Sequence, residues 1–152
     1  MKKIALFLLT GLSFCVLAQK SQPLPEHPRP DLERTQWVNL NGYWDFTFDS
    51  SLSAPSRYDK KILVPFPWGS PLSEVKDESD VAWYHKAITI PATWTGKRIF
   101  LNIGASDWET SIYLDGVKIG SHQGGYTPFD AELAEMKPGS AHQLAIRVDD
   151  KR

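Results

Sequence analysis

Side chains able to make or break bonds are spread along this chain without converging on a catalytic constellation. Hydrolysis by two carboxylates needs a pair about 5 Å apart, one as acid and base, the other as nucleophile. The acids fall instead into separate groups: Glu74, Asp77, Glu78 and Asp80, then Asp107 and Glu109, then Asp130, Glu132 and Glu135. The first group reads as solvated loop charge. His27, His85, His122 and His142 have none of the close spacings of a zinc site. The glycines between Gly120 and Gly125 lack the lysine and following helix of a phosphate loop. Ser106, Asp107 and His122 have no nucleophile elbow around them. The residues themselves assign no catalytic side chain, no metal and no cofactor.

The elements that would position these groups follow a two-residue period. Trp44, Phe46 and Phe48 share one face of a strand, and Tyr43, Asp45 and Thr47 share the other. Ile99, Leu101 and Ile103 alternate in the same way, as do Ile112 and Leu114, and Leu144, Ile146 and Val148. A further strand starts near Val81 and closes at Ile88 and Ile90. Asp115-Gly116 between Leu114 and Val117 is a hairpin signal, because both residues tolerate positive φ. Pro91 to Gly96 reads as a longer loop and Pro138-Gly139 as a turn. Residues 131–136 allow one helical turn. Many short alternating strands with Gly and Pro punctuation predict an all-β fold, an antiparallel two-sheet sandwich of the jelly-roll type.

Composition limits the rest. Lys2 and Lys3 followed by the apolar residues 4–17 and by Val16-Leu17-Ala18 read as a signal peptide over residues 1–18. The apolar run falls short of the roughly 20 residues of a membrane span, so no transmembrane segment is expected. Export to the periplasm or the exterior follows. Acylation through Cys15 is the weaker alternative, since Phe14 stands where a small residue is wanted. Residues 19–39 hold Pro23, Pro25, Pro28 and Pro30 and read as a semi-rigid spacer. The domain occupies residues 40–152. Beyond the leader there is no cysteine, so stability rests on a core rather than on disulfides. Loss of the two leader lysines leaves 15 of the 17 basic residues against 18 acidic ones, a net charge of about −3. With no basic patch, nucleic acid is not an expected partner.

Several motifs, taken in order, carry a resemblance. They are Asn41-Gly42-Tyr43-Trp44-Asp45-Phe46, Val64-Pro65-Phe66-Pro67-Trp68, Trp83-Tyr84-His85-Lys86, Trp94-Thr95-Gly96-Lys97-Arg98 and Tyr113-Leu114-Asp115-Gly116. The most specific is His122-Gln123-Gly124-Gly125-Tyr126-Thr127-Pro128-Phe129. Their order and spacing over residues 40–150 resemble the N-terminal sugar-binding domain of glycoside hydrolase family 2, the β-galactosidase, β-glucuronidase and β-mannosidase group. His85 departs from the arginine or glutamine usual there, and Asp115 replaces an asparagine. Gly124 and Gly125 are expected to take conformations closed to other residues. Trp44, Trp83, Tyr84 and Phe129 are expected to fill the space between the two sheets.

The resemblance implies a fragment of an exported enzyme that hydrolyses O-glycosyl bonds of terminal β-linked sugars. The family's catalytic carboxylates belong to a later barrel domain, so none in this chain inherits that role and the chain alone is expected to be inactive. The implied partners are a carbohydrate, the end of an oligo- or polysaccharide, and the downstream barrel of the same enzyme. Asp107, Trp108, His122 and Tyr126 are the candidate substrate-binding residues, with Trp108 able to stack on a sugar face. A covered face bearing some of Trp68, Trp94 and Trp108 is expected where neighbouring domains dock. Two other classes stay open: a free-standing, non-catalytic carbohydrate-binding module, and a surface interaction domain. A sandwich alone does not separate them.

Overall fold

A computed structural model describes residues 22–29, 31, 33–134 and 136–150. The leader read over residues 1–18, with Cys15, lies outside the described residues.

Among the described residues there are eight strands: β1 (Gly42–Phe48), β2 (Lys60–Val64), β3 (Val81–Thr89), β4 (Phe100–Ile103), β5 (Glu109–Leu114), β6 (Val117–Gln123), β7 (Phe129–Glu132) and β8 (Ala141–Asp149). Six of them make one sheet in the order β2-β1-β3-β8-β5-β6, and β4 pairs with β7 in a second. Every pairing is antiparallel. The all-β, two-sheet architecture expected from the alternation is therefore the observed one. Among the described residues no helix is long and apolar enough to cross a membrane.

The core lies between the sheets. Trp44 and Phe46 of β1, Ile62 of β2, Ile112 and Leu114 of β5 and Leu144 of β8 meet Leu101 of β4 and Ala131 of β7. Successive residues point to opposite faces, so each strand commits alternate positions to this layer. Gly120 of β6 lets the second sheet come close, since a Cβ there would lie 3.2 Å from the Ala131 Cβ. Tyr84 and Phe129 pack against the cluster as expected, and so do Trp68 and Trp94. Those two tryptophans are thus half-buried in the domain's own core rather than waiting for a neighbour.

Trp83 is a correction. It is fully buried, yet it shares the opposite face of β3 with His85 and lies across from Arg147 of β8. The connection of residues 49–59 between β1 and β2 covers that outer face. The Ser51 carbonyl accepts from Trp83 Nε1 at 3.3 Å and from Arg147 Nε at 3.1 Å. Tyr113 Oη donates to the Leu52 carbonyl at 3.3 Å, and its ring lies 5.2 Å from that of Trp83. Under this strap β8 is buried on both faces, and Arg147 reaches Asp149 Oδ2 at 3.1 Å. A charged side chain in such a place needs a partner close by, and here it has one.

Two further differences concern element edges. Residues 131–136 do not open with a helical turn, because β7 runs through Ala131 and Glu132 to pair with Phe100 and Leu101. β2 gave no alternating signal, and its Lys60 and Lys61 mark it as an edge strand protected by charge. The hairpin at Asp115-Gly116 forms with φ of 49° and 83°, the positive pair that such a turn requires. Residues 22–29 lie along the entry to β1: Gln22 Nε2 donates to the Asn39 and Asn41 carbonyls, and Asn39 Nδ2 to that of Leu24 at 2.8 Å.

Candidate functional site

Two connections meet at one end of the sheets, residues 104–108 before β5 and residues 124–128 after β6. The β5–β6 register sets Glu109 opposite Gln123, which brings Asp107 and Trp108 beside Gly124 and Gly125. The Gly124 N–H donates to the Trp108 carbonyl at 2.9 Å, and the Trp108 N–H donates to the Asp149 carbonyl at 3.3 Å. The backbone of Trp108 is therefore tied both to the loop and to the end of β8.

The two glycines serve different purposes. Gly124 has φ of 122°, a region L side chains avoid. Gly125 is needed for approach instead, because a Cβ there would sit 2.6 Å from Asp107 Cγ and from Oδ1. The expectation that both glycines answer a backbone need thus holds for Gly124 and is corrected for Gly125. Beneath the loop, the His122 ring stacks on Phe129 with centroids 4.1 Å apart and planes 12° apart. His122 Nε2 lies 3.2 Å from Thr127 Oγ1, which fixes the loop's return to β7.

The four candidates, Asp107, Trp108, His122 and Tyr126, are thus brought to one end of the molecule, with unequal access. Tyr126 is 93% exposed and Trp108 49% exposed, while His122 is half-buried and acts as a support. A carboxylate against a glycine loop, flanked by two open rings, can bind a polar ligand or a neighbouring surface. Among the described residues no three His, Cys, Asp or Glu side chains are grouped to hold a metal.

No family model matches the chain. It is 25% identical over 134 residues to a β-glucuronidase of Paenibacillus borealis, covering 81% of this chain and 22% of that protein. A β-galactosidase of Thermoanaerobacter pseudethanolicus is 31% identical over 116 residues, 74% of this chain and 15% of that one. Among solved structures, a Ruminococcus gnavus β-glucuronidase in complex with a C6-substituted uronic isofagomine superposes with a TM-score of 0.64 at 26% identity, over 73% of this chain and 21% of the other. The chain resembles the N-terminal domain of glycoside hydrolase family 2 in sequence and in fold. It spans about a fifth of the length of the relatives it matches.

Sequence reasoning missed two sets of side chains. Thr127 and Phe129, which hold His122, sit inside the motif but show their role only once the loop turns back. The other set lies on the outer face of the six-stranded sheet, around His85 in the middle of β3. Its signal was in the sequence, where His85 breaks the family's pattern.

Proposed function

We propose that this chain is the N-terminal carbohydrate-binding and bracing domain of an exported glycoside hydrolase resembling family 2. The whole enzyme hydrolyses O-glycosyl bonds of terminal β-linked sugars with retention, through a covalent glycosyl-enzyme intermediate formed in a downstream barrel. Its carbohydrate is the end of an oligo- or polysaccharide. The observation that carries this reading is the loop after β6, which packs on Asp107 and leaves Trp108 and Tyr126 uncovered at one end. Exposed rings beside an ordered loop suit a surface that another part of the same enzyme covers. This end then braces the barrel and shapes the rim of its sugar pocket. The apolar leader of residues 1–18 supports export to the periplasm or the exterior.

The test joins the chain to whatever its reading frame encodes after Arg152, expected to be a second sandwich and a barrel. Melting temperature and hydroxyl-radical labelling are compared between the chain alone and the longer product. The longer product should melt higher and protect Trp108 and Tyr126. A stop codon at that point, or equal melting and labelling in both, would favour a free-standing binding module instead.

A further inference from the structure

The outer face of the six-stranded sheet carries a second constellation. A groove of about 540 Å³ opens there, within the range of roughly 300–1,000 Å³ typical of small-molecule sites. Asp45, His85 and Gln143 from the adjacent strands β1, β3 and β8 line it, with Ser56, Arg57 and Tyr58 from the 49–59 strap. Its hydrogen bonds run across the strands. His85 Nδ1 meets Asp45 Oδ2 at 3.2 Å, His85 Nε2 meets Gln143 Oε1 at 2.8 Å, and Lys61 holds the other Asp45 oxygen. The Tyr58 ring stacks on His85 with centroids 4.9 Å apart and planes 22° apart.

This relay fixes the side chains before any ligand arrives, which reduces the entropy cost of binding. It also leaves polar atoms over. Gln143 has one amide group on His85 and keeps the other for a ligand, whichever way the amide is turned. Ser56, Arg57 and Tyr58 also line the groove, and each carries a side chain able to hydrogen-bond. Planar amide and guanidinium groups beside an aromatic ring suit a ligand rich in hydroxyl groups.

The charge around the groove decides what kind of polyol fits. Asp45 and Asp49 both act on Tyr58, and Asp59 lies near Arg57 and Lys60. Lys61 is taken by Asp45, and Lys60 is held by Asp77 at 3.0 Å. The groove's lining holds one carboxylate, Asp45, and one guanidinium, Arg57, and so carries no excess of positive charge to draw an anion. We propose that this groove is a binding site for a neutral saccharide, independent of the Asp107–Tyr126 end. The β3–β8–β5 register sets His85 level with Tyr113, four residues along β5 from Glu109, or about 13 Å at roughly 3.3 Å per residue.

The experiment titrates isotope-labelled full chain with neutral disaccharides (cellobiose, mannobiose and β-galactobiose) and separately with glucuronate, following amide shifts by NMR. Saturable shifts confined to Tyr58, His85, Gln143 and their neighbours are expected with at least one neutral disaccharide. Gln143 is exposed, so Gln143→Ala should keep the dispersed spectrum while weakening that response by about tenfold, the loss of a ligand hydrogen bond. Arg57→Ala, on the exposed strap, should weaken it similarly. Shifts only around Trp108 and Tyr126, a stronger response to glucuronate, or none with any sugar at the highest soluble concentration would each overturn the proposal. The readout does not depend on catalysis, so failure here leaves the enzyme-domain reading standing.

Discussion

Single residues show how this domain separates backbone strain from steric approach. Gly124 and Gly125 are adjacent, yet one is held by φ of 122° and the other by the Asp107 carboxylate 2.6 Å from its missing Cβ. A strained φ has no remedy, and such positions cost about 1–3 kcal/mol in a residue with a side chain. The Asp107 side chain is exposed and can swing away. In urea unfolding, Gly124→Ala is therefore expected to lose more stability than Gly125→Ala, even though the Gly125 methyl makes the closer contact. The reverse order would contradict the division of roles. Asp115 offers a second residue-scale test. Its carboxylate accepts from the Gln143 N–H at 2.7 Å and from His142 Nδ1 at 2.6 Å, and these bonds, the Gln143 one foremost, hold its pKa below the usual carboxylate value. A carboxylate lowered on folding stabilises fully above its unfolded pKa, about 3.9, and the contribution fades as pH falls through the lowered folded value. Asp115→Asn keeps the hairpin residue type but not the titration. Its stability should fall less steeply than the parent's below about pH 4, as measured by thermal melting across that range.

Elements explain which parts of the fold the sequence could announce. Two-residue alternation names the residues that share a face, so β1, β4, β5 and β8 were legible from their apolar positions. It does not say which faces find cover. Trp83 was placed between the sheets for that reason, while a strap with no periodicity of its own, residues 49–59, buries it on the outside. The Arg147–Asp149 pair was equally hidden, since charged residues at alternate positions look like a solvated face until the strap is in place. At the candidate site, the glycine loop was legible as a motif. Its contact with Asp107 was not, because that approach is set by the β5–β6 register and by no local pattern. The strap also gives an element-scale test. Trp83→Ala removes a fully buried ring and one of the two donors to the Ser51 carbonyl, and is expected to cost about 3–5 kcal/mol. Amides in residues 49–59 should then exchange with solvent faster than those of β5, as seen by hydrogen exchange. Uniform acceleration across the molecule would mean that the strap has no separate dependence on Trp83.

At the scale of the whole molecule, the domain has a packed core, an open glycine-loop end and a polar groove on its outer sheet face. Trp68 and Trp94 are drawn into the core, which leaves Trp108 and Tyr126 as the large open rings of the glycine-loop end. The outer sheet face carries the Asp45–His85–Gln143 relay. Among the described residues neither place joins a nucleophile to an acid and base, and the matched stretch covers about a fifth of the relatives' length. The function proposed above puts the chemistry in a downstream barrel, with this domain as its brace. Turnover of nitrophenyl β-glycosides by the purified chain and by the product of the full reading frame, assayed side by side, tests that claim most directly. The longer protein should hydrolyse at least one of these substrates with retained anomeric configuration, and the chain alone should hydrolyse none. Turnover by the chain alone that disappears when one of its own carboxylates is replaced, or a longer protein inert on every such glycoside, would contradict the account.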